Sequence, residues 1–531
     1  MNAADIIAAR LHAAGCRTAF GIPGGEVLTL IDALERAGIR FVLTKHENAA
    51  GFMAEGTWHA TGAPGVLVAT VGPGVANAFN VVANAEQDRV PLIVLSGCVD
   101  AAEAASYNHQ VFDHGAVFRE VCKTSVTIAD GAVDVQIDKA IGIALAGRPG
   151  PVHIDLPIMV ADAEQPAPRA WRHGAPAATA PSGPDLDRAR ALFAGAERPV
   201  VMAGLDALNE PDGADAVRTF VEKHQIPLLT TYKGKGILPE DHPLSLGGHG
   251  LSPRADKIVL PIFEQADCII AAGYDPIEMR TGWQAPWDPA KVIEFAHAPN
   301  DHDMHHADLN WVCSVAGGLA AIDGDTRTRW PGGEPAAVRD THWAAFGAGD
   351  SWGPAHAIAE LLAAAPDETT ITIDSGAHRI LLSQQWQGKH PRAILQSTGL
   401  CTMGCALPLG MGFKHARPDA PVVAFMGDAG LEMTMGELAT LRDLGLPLVV
   451  VVFVDRSLAL IELKQRRTGL QNAGVDFEHT DFAALARLYG GNGVTVSGPG
   501  EAGPALTDAL AADRFTLIAV EIPRRAYDGL I

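Results

Sequence analysis

Two aspartates at the ends of apolar segments are the residues of this sequence best placed to do chemistry. Asp428 follows the apolar run 422–426, Asp455 follows the run 448–454, and a helical pattern separates the two runs. A strand–helix–strand crossover brings the carboxyl ends of two parallel strands to one edge of a sheet, where open α/β folds bind ligands. Carboxylate oxygens at such an edge, completed by phosphate or water oxygens, are typical ligands of Mg²⁺. The pair therefore predicts a magnesium–phosphate site, and the alternative is two loop caps.

Two segments near the N-terminus carry a carboxylate or glycines where a strand gives way to a helix. Glu47 stands at such a junction, where a carboxylate either takes part in chemistry or complements the helix dipole. The turn Gly72-Pro73-Gly74 leads into another helix. Its glycines permit close approach of the backbone to a ligand, or only a tight turn. Each signal is weak by itself, and both alternatives stay open.

The pattern of apolar runs predicts three α/β units that would position these residues. Short apolar strands alternate with helices, which predicts parallel sheets covered on both faces. We therefore predict an α/β fold with three doubly wound parallel-sheet domains, at residues 1–162, 185–323 and 350–531. Segment 163–184, rich in Ala and Pro, and segment 324–339, rich in Gly, Pro and Arg, are predicted to connect them. The first and third units have patterns compatible with similar folds.

Composition narrows the class of protein and its partners. The 531 residues are 48% hydrophobic and 19% charged, which is typical of a compact soluble enzyme. The net charge of −22 disfavours nucleic acid or an anionic membrane as a partner, because both require clustered positive charge. Seven dispersed cysteines favour free thiols in a reducing compartment, and no apolar run reaches the roughly 18 residues of a membrane span. We expect a cytoplasmic protein that binds neither nucleic acid nor membrane.

Taken together, these segments resemble the thiamine-diphosphate-dependent enzymes, most clearly from Gly427 to Ser457. The resemblance implies thiamine diphosphate and Mg²⁺ as cofactors, with Asp428, Asp455 and the backbone carbonyl of Ser457 as metal ligands. The chain departs from the commonest pattern at Ala429, where Gly is usual, and at Asp455, where Asn is usual. A methyl group at position 429 requires a negative φ, and the extra carboxylate adds one negative charge to the metal site.

Other segments narrow the resemblance to the acetohydroxyacid (acetolactate) synthases, and within that group to the catabolic, flavin-independent type. Segments 273–278, 454–455 and 474–477 look most like the catabolic type, in which Asp is the ordinary second metal ligand. Asp455 then agrees with the pattern, whereas Ala429 remains unexplained. The segments similar to the synthases as a whole are 20–25, 46–56, 147–152 and 398–404.

The resemblance assigns the first unit as a pyrimidine-binding domain and the third as a diphosphate-binding domain. Glu47 would exchange a proton with the aminopyrimidine ring, and Met403 would wedge beneath the cofactor and force its two rings together. A buried core methionine is the alternative for Met403, and a strand-end turn is the alternative for the loop 374–378. The residues implied to contact the cofactor are Gly72, Pro73, Gly74, Asn77, Asp374, Gly376, His378, Gly399, Met403, Gly427, Asp428, Ala429 and Gly430.

Substrate contacts are implied on both terminal units. Gln110, in the family's Gln-x-x-Asp spacing with Asp113, is the candidate for a polar contact to the reacting species, and it joins Glu47 and Met403 as the implied catalytic set. An exposed loop glutamine is the alternative. Lys464 stands where Trp or Gln is usual, and it either grips an anionic acceptor or points into solvent. The implied substrate residues are Gly24, Gln110, Leu460, Ile461 and Lys464.

The activity implied by the resemblance is that of an acetolactate-synthase-like carboligase, which decarboxylates a 2-keto acid such as pyruvate and transfers the two-carbon unit to a second carbonyl compound. The alternatives are transfer to another acceptor, as in sulfoacetaldehyde acetyltransferases, a 2-keto acid decarboxylase, and a non-enzymatic cofactor-binding protein. Gly25 and Ile461 disfavour the decarboxylase, which places carboxylates there, and Glu47 disfavours a pure binder, which would not require it. The family's cofactor lies between the first unit of one chain and the third of its neighbour, which implies a homodimer or homotetramer. Flavin binding by the central domain stays open.

Overall fold

The chain folds into three parallel β-sheets flanked by helices. The computed structural model describes residues 1–171, 179–349 and 351–531. Within these residues each sheet has six strands, and every strand pair is parallel. The predicted α/β class with three doubly wound units is therefore confirmed. Sheets covered on both faces explain why the central strands read as continuous apolar runs.

The N-terminal sheet carries the segments predicted to hold the pyrimidine end of a cofactor. Its strands are β1 (Thr18–Gly21), β2 (Arg40–Leu43), β3 (Gly65–Ala69), β4 (Leu92–Cys98), β5 (Thr124–Thr127) and β6 (Val152–Pro157). Its helices are α1 (Ala3–Ala13), α2 (Leu28–Arg36), α3 (Glu47–Thr61), α4 (Pro73–Gln87), α5 (Ala101–Ala104), α6 (His114–Phe118), α7 (Val133–Leu145) and α8 (Ile158–Asp162), with a 3₁₀ turn at Gly25–Val27. The strand order is β2-β1-β3-β4-β6-β5. The loops that follow β1 to β4 all leave from the carboxyl edge of this sheet.

The central sheet contacts the N-terminal unit at its own carboxyl edge. Its strands are β7 (Pro199–Ala203), β8 (Leu228–Thr231), β9 (Ser245–His249), β10 (Cys268–Ala272), β11 (Val292–Ala296) and β12 (Leu309–Val312), in the order β12-β11-β10-β7-β8-β9. Its helices are α9 (Pro184–Gly195), α10 (Leu205–Asn209), α11 (Gly213–His224), α12 (Pro253–Val259), α13 (Pro261–Gln265), α14 (Val315–Ile322) and α15 (Glu334–Ala345), with 3₁₀ turns at Pro276–Glu278, Thr281–Trp283 and Pro289–Lys291.

The strand order of the central sheet reverses between β7 and β10, which is where sheets of this order bind dinucleotides. Two arginines of the N-terminal unit reach this point. Arg148 Nε lies 3.1 Å from Asp206 Oδ1, and Arg89 Nε lies 2.9 Å from Asp275 Oδ2. Asp206 and Asp275 are each 1% exposed, so the crevice is filled by buried ion pairs that join the two units.

The C-terminal sheet repeats the strand order of the N-terminal sheet. Its strands are β13 (Thr370–Ile373), β14 (Ile394–Gln396), β15 (Val422–Gly427), β16 (Val449–Val454), β17 (Asn492–Val496) and β18 (Thr516–Glu521). Its helices are α16 (Pro354–Ala364), α17 (Ala377–Gln385), α18 (Ala406–Ala416), α19 (Asp428–Thr434), α20 (Glu437–Leu444), α21 (Ala459–Arg467), α22 (Phe482–Leu488) and α23 (Ala502–Leu510). The order is β14-β13-β15-β16-β18-β17, and the predicted similarity of the first and third units is confirmed.

Helices α3 and α18 join the N-terminal and C-terminal units through a close backbone contact. A Cβ added at Gly412 would lie 1.9 Å from the carbonyl oxygen of Met53, and one added at Gly56 would lie 2.3 Å from that of Leu409. Both positions therefore require glycine. Because α3 begins at Glu47 and is buried along most of its length, this contact anchors the helix whose first residue is the predicted catalytic carboxylate.

The connecting segments differ in part from the prediction. Helix α15 begins at Glu334, inside the segment 324–339 that was expected to be a connection, and it packs against α12, α13 and β9 of the central unit. His342 is the only buried residue of this helix, so its sequence has no apolar stripe that distinguishes it from a loop. Residues 172–178 of the predicted 163–184 connection and residue 350, where the third domain was predicted to begin, lie outside the described residues. Among the described helices, none is long and apolar enough to cross a membrane.

Candidate active site

Glu47 is held at the carboxyl edge of the N-terminal sheet as the first residue of α3. The preceding residue, His46, caps this helix, because its Nδ1 accepts a hydrogen bond from the backbone N–H of Asn48 at 3.1 Å. Glu47 is 4% exposed, and its Oε2 accepts a hydrogen bond from Asn77 Nδ2 at 3.0 Å. A Cβ added at Gly74 would lie 3.2 Å from Glu47 Oε1. The Gly72-Pro73-Gly74 turn and helix α4 thus form one wall around this carboxylate.

Other predicted residues of the N-terminal unit surround the same edge. Gly72 has φ of +75°, and a Cβ added there would lie 2.6 Å from the carbonyl oxygen of Gln110. Gln110 is an exposed residue with φ of +63°. Gly24 packs on Thr70, whose Oγ1 would lie 2.0 Å from an added Cβ. The structure therefore brings Gly24, Glu47, Gly72 and Gln110 to one edge, from four different loops.

Asp428 and Asp455 lie side by side at the carboxyl edge of the C-terminal sheet. Asp428 Oδ2 accepts hydrogen bonds from the backbone N–H groups of Asp455 at 3.1 Å and Arg456 at 2.7 Å. Asp455 Oδ1 accepts from the backbone N–H of Ser457 at 3.3 Å, whereas its buried Oδ2 has no hydrogen-bond partner in the described residues. Both carboxylates are almost completely buried, at 3% and 6% exposure.

The electrostatics of this pair favour a bound cation. Burial, followed by the negative charge of Asp428, raises the pKa of Asp455 to about 7. Burial also raises the pKa of Asp428, although three backbone N–H groups oppose the shift. Two adjacent buried carboxylates are costly without a positive charge between or beside them, and a divalent ion would remove this cost.

Ser457 presents its backbone to the same place. The N–H of Leu458 donates to Val475 O at 2.7 Å and the N–H of Phe477 donates to Arg456 O, so Ser457 and Asp476 form an antiparallel bridge without mutual hydrogen bonds. In such a pair the N–H and C=O of each residue point away from the partner strand. The N–H of Ser457 donates to Asp455 Oδ1, and its carbonyl group is directed to the same side of the strand, away from Asp476.

The Ala429 anomaly has a local explanation. Ala429 is the second residue of α19 and has a negative φ, so its methyl group causes no backbone strain. The close approach occurs one residue later, where a Cβ added at Gly430 would lie 2.1 Å from Asp374 Oδ2. Glycine is therefore required at position 430 and not at 429.

Asp374 holds the loop that carries Met403. It is completely buried, its Oδ2 accepts from the N–H of Gly404 at 3.0 Å, and its Oδ1 accepts from that of Cys405 at 2.8 Å. Both oxygens are used by backbone groups, so Asp374 positions the Met403 loop and does not line the adjacent cavity. Gly399 likewise packs away from it, because its N–H donates to Asp88 Oδ1 at 3.1 Å.

A cavity of about 290 Å³ opens beside the aspartate pair. Its lining includes the predicted metal motif, which is residues 427–430 together with Asp455. It also includes the first two turns of α21, which carry three of the predicted substrate residues. The predicted residues that line it are Gly376, His378, Met403, Gly427, Asp428, Ala429, Gly430, Asp455, Ser457, Leu460, Ile461 and Lys464. The predicted residues of the N-terminal unit, Gly24, Glu47, Gly72, Pro73, Gly74, Asn77 and Gln110, do not line it.

Several buried polar atoms on this wall have no hydrogen-bond partner in the described part of the chain. They are Ser375 Oγ, His378 Nε2, Arg379 Nε and Asp455 Oδ2. Burial, with the charge of Arg379 adding to it, lowers the pKa of His378 to about 3, so its imidazole is neutral and offers one N–H donor. Donors and a free carboxylate oxygen in one cavity fit a phosphorylated cofactor bound through a divalent cation.

Several residues that line this cavity were not among the predicted site residues, including Arg280, Arg379, Cys401 and Tyr527. Arg280 comes from the central unit and Tyr527 from the C-terminal segment, so neither is near the motifs in sequence. Cys401 has φ of +59° and its Sγ lies 3.2 Å from Arg379 Nη2. Arg379 and Cys401 lie in or next to segments that the resemblance already indicates, whereas only long-range packing brings Arg280 and Tyr527 to this cavity.

A second cavity of about 850 Å³ lies between the N-terminal and C-terminal units of the same chain. Met403 and Cys401 line both cavities and thus form the boundary between them. The N-terminal side of the second cavity includes Asn48 and Asn77, next to Glu47, and the C-terminal side includes the exposed Met433.

Comparisons with known proteins agree with this arrangement. Family profiles described as the N-terminal TPP binding domain, the central domain and the C-terminal TPP binding domain of thiamine pyrophosphate enzymes match residues 1–117, 186–322 and 374–520. The chain is 28% identical to an acetolactate synthase of Bacillus subtilis, over 98% of this chain and 93% of that protein. It is 30% identical to a probable acetolactate synthase large subunit of Methanocaldococcus jannaschii, over 98% and 92% of the two chains. It is 27% identical to a catabolic acetolactate synthase of Raoultella terrigena, over 99% and 95%. The chain therefore belongs to the thiamine-diphosphate-dependent enzymes, in the group that contains the acetolactate synthases.

Proposed function

We propose that this protein is an acetolactate-synthase-like carboligase that acts on a 2-keto acid such as pyruvate. The observation that carries the proposal is the buried aspartate pair, which opens into a cavity that is also lined by Leu460, Ile461 and Lys464 of α21. The names of relatives that align over nearly the whole chain support the same activity. Thiamine diphosphate, when bound, supplies the electron sink that makes decarboxylation of a 2-keto acid feasible.

The C-terminal unit would hold the diphosphate end of the cofactor. Asp428, Asp455 and the carbonyl group of Ser457 would supply oxygen ligands for Mg²⁺, and the unpartnered Oδ2 of Asp455 is the atom most clearly available. Phosphate oxygens and water would supply the remaining ligands. The neutral His378 and the hydroxyl group of Ser375 would donate hydrogen bonds to the diphosphate.

Glu47 would hold and return a proton at the aminopyrimidine ring of the cofactor. Its burial and its hydrogen bond from Asn77 fix the carboxyl group in one orientation, and Gly74 avoids the crowding of Oε1 that a Cβ at 3.2 Å would cause. A carboxylate used only as a helix cap would not need a glycine and an amide group arranged around it.

The active site would be completed by a second copy of the chain. The cavity beside Asp428 contains no described residue of the N-terminal unit of the same chain, although that unit carries Glu47. The apolar side chains of Phe79, Met433 and Met435 are exposed by 38%, 65% and 39%, and self-association would cover such side chains. We propose a homodimer as the smallest active unit, or a homotetramer built from two such dimers.

The acceptor would bind against α21, with Gly24 and Gln110 contributed by the N-terminal unit of the second copy. Leu460 and Ile461 provide an apolar surface, and Lys464 has no carboxylate partner within the described part of the chain. A 2-keto acid acceptor carries a carboxylate that Lys464 and Arg280 can contact. The alternatives, transfer to another acceptor and simple decarboxylation, are distinguished by the products.

The cell compartment and the domain limits complete the proposal. The seven free cysteines, of which Cys16, Cys268, Cys313 and Cys405 are buried, are compatible with a reducing cytoplasm. We propose residues 1–162, 185–323 and 350–531 as the pyrimidine-binding, central and diphosphate-binding domains, with α15 added to the central one.

Product analysis tests the activity directly. The purified protein is incubated with pyruvate, thiamine diphosphate and Mg²⁺, and acetolactate is the expected product. Acetaldehyde alone would indicate a decarboxylase. In a parallel incubation with sulfoacetaldehyde and phosphate in place of pyruvate, formation of acetyl phosphate with release of sulfite would indicate the acetyltransferase. Glu47→Gln, which keeps the shape and the Asn77 contact, should abolish turnover while cofactor affinity is retained. Glu103→Gln, which changes an exposed carboxylate of α5, is the matched control. Full turnover in Glu47→Gln would refute the catalytic role.

A further inference from the structure

A buried polar network in the N-terminal unit reaches the turn beside Glu47. Asp155 Oδ1, on β6, accepts hydrogen bonds from Ser96 Oγ at 2.7 Å and from His114 Nδ1 at 2.8 Å. His153 lies between two hydroxyl groups, with Ser96 Oγ at 2.7 Å from Nε2 and Ser125 Oγ at 2.7 Å from Nδ1. Three neighbouring strands therefore share one hydrogen-bond network, and none of the proposed cofactor or substrate residues belongs to it.

The other nitrogen of His114 connects this network to the Gly72 turn. The backbone N–H of Gly72 lies 3.3 Å from His114 Nε2 and can only donate, so Nε2 must be the acceptor. The proton of the neutral imidazole is then on Nδ1, where it is donated to Asp155. Burial opposes ionisation of Asp155, but the hydrogen bond from His114 and the imidazole of His153, whose Nε2 lies 3.5 Å from Oδ1, outweigh it and hold the pKa of Asp155 well below its usual range. The carboxylate thereby selects the tautomer of His114 that can accept from Gly72.

The network is not arranged as a metal site. The side-chain ligand atoms of His114, His153 and Asp155 lie close enough together to hold an ion. However, His114 Nδ1, His153 Nε2 and Asp155 Oδ1 already have hydrogen-bond partners inside the network. A metal ion would have to displace these contacts. Without an ion, every hydrogen bond of the network pairs one donor with one acceptor.

The position of Gly72 determines the geometry around Glu47. Gly72 is the N-cap of α4, with φ of +75° and ψ of −104°, and its own carbonyl group accepts the first helical hydrogen bond, from Ala76. Two residues further on, Gly74 lies beside Glu47, since a Cβ added there would be 3.2 Å from Oε1, and Asn77, on the next turn of the same helix, donates to Glu47 Oε2. A shift of the N-cap would move both contacts, because they belong to the first turns of one helix.

We propose that His114 is a positioning residue, which ties the Gly72 turn to Asp155 and thereby holds Glu47 in the orientation that proton exchange with the cofactor requires. The inference rests on the proposed role of Glu47 in a thiamine-diphosphate enzyme. His114 itself, 3% exposed and behind the turn, contacts neither Glu47 nor the cavity beside Asp428. Its effect is transmitted through the backbone of residues 72–74.

Two substitutions separate the two contacts of His114. The amide group of His114→Asn matches the position of Nδ1 and can still donate to Asp155, but it cannot reach Gly72. The longer His114→Gln can accept from Gly72 through its Oε1. Ser125→Ala, which changes the far end of the network, is the matched control.

The measurement is the rate of hydrogen–deuterium exchange at C2 of the thiazolium ring of bound thiamine diphosphate, with cofactor affinity and melting temperature measured on the same holoenzymes. We expect His114→Asn to slow the exchange about tenfold, the effect of about one hydrogen bond, with the cofactor Kd within about twofold of wild type. His114→Gln should recover most of the rate, and Ser125→Ala should not change it.

The proposal is overturned if His114→Asn exchanges at the wild-type rate, or if it slows exchange only in proportion to lost cofactor binding. It is also overturned if His114→Asn fails to fold and the folded His114→Gln is as slow as Glu47→Gln. Failure of the proposed function is a separate result, since Glu47→Gln would then exchange C2 as fast as the wild-type protein.

Discussion

Replacing Gly430 by alanine tests whether the metal motif and the Met403 loop are packed as one unit. The added Cβ would lie 2.1 Å from Asp374 Oδ2 and 3.2 Å from Asp374 Cγ. Asp374 is wholly buried, and its two oxygens accept from the backbone N–H groups of Gly404 and Cys405. The methyl group therefore cannot be accommodated unless the carboxylate, helix α19 or both move by about 1 Å, since carbon–oxygen contacts rarely fall below about 3 Å.

The cost follows from the hydrogen bonds that such a shift disturbs. A hydrogen bond to a charged group contributes about 1.5–3 kcal/mol, and a buried carboxylate that loses a donor also keeps its desolvation penalty. Weakening one of the two Asp374 contacts should therefore destabilise the protein by about 2–3 kcal/mol. Because the displaced N–H groups belong to Gly404 and Cys405, the Met403 loop should shift as well.

The assay compares Gly430→Ala with Ala429→Gly, which makes the opposite change one residue earlier. Position 429 has negative φ inside α19, so Ala429→Gly should cost only the glycine penalty of about 1 kcal/mol or less. Melting temperature and thiamine diphosphate affinity in the presence of Mg²⁺ are measured for both variants. We expect a clearly lower melting temperature and at least about tenfold weaker cofactor binding for Gly430→Ala only.

A Gly430→Ala protein with wild-type stability and cofactor affinity would refute the reasoning. It would mean that the contact between α19 and Asp374 relaxes at no cost. Equal losses in Gly430→Ala and Ala429→Gly would also refute it, because the second change meets no buried neighbour.

Three further substitutions test the predicted metal ligand Asp428, the predicted substrate residue Lys464 and the buried carboxyl group of Glu278 in the central unit. Asp428→Asn removes one negative charge and places an NH₂ group or a weaker acceptor opposite the backbone N–H groups that Asp428 now accepts from. The affinity for Mg²⁺, measured by calorimetry, should therefore fall at least about tenfold. Unchanged affinity would exclude Asp428 as a ligand. Lys464→Met should raise the KM for the acceptor about two- to fivefold and leave decarboxylation of the donor unchanged. The factor is small because Lys464 is exposed to solvent. An unchanged KM would show that the lysine does not contact the acceptor. Burial raises the pKa of Glu278 to about 7, so the folded state keeps a proton that the unfolded state loses above its ordinary pKa near 4.5. The free energy of unfolding therefore includes the full contribution of this proton below pH 4.5. It falls by about 3 kcal/mol as the pH rises from there through 7. Glu278→Gln, which stays neutral, should therefore gain melting temperature relative to wild type between pH 5 and 8, and parallel curves for the two proteins would contradict the raised pKa.

The sequence was sufficient for the architecture and for the local parts of the site. Apolar strands alternating with helices specify parallel α/β units, because strands buried on both faces must be apolar throughout. The two aspartates could be placed together because a strand–helix–strand crossover has one handedness and brings the ends of adjacent strands to one edge. Helix α15 was missed because a polar surface helix has no apolar periodicity strong enough to distinguish it from a loop.

Individual side-chain roles needed the tertiary structure. Asp374 was predicted from its motif as a cofactor residue, but only the packing shows that both its oxygens hold the Met403 loop. The tolerance of Ala429 and the need for Gly430 depend on which residue faces Asp374, and the sequence of the motif does not contain that information. Arg280 enters the cavity from another unit, more than a hundred residues before the metal motif.

Some properties of this protein are thus determined by its sequence alone, and others only by its tertiary structure. The sequence by itself determined the fold class, the family and the placement of Asp428 and Asp455 side by side, because these depend on periodicity and on short spacings within one crossover. Only the tertiary structure decided which buried atoms lack partners, which glycines are obligatory and how His114 reaches the Gly72 turn. These properties arise from contacts between residues far apart in the chain, and no local pattern encodes the distance between them.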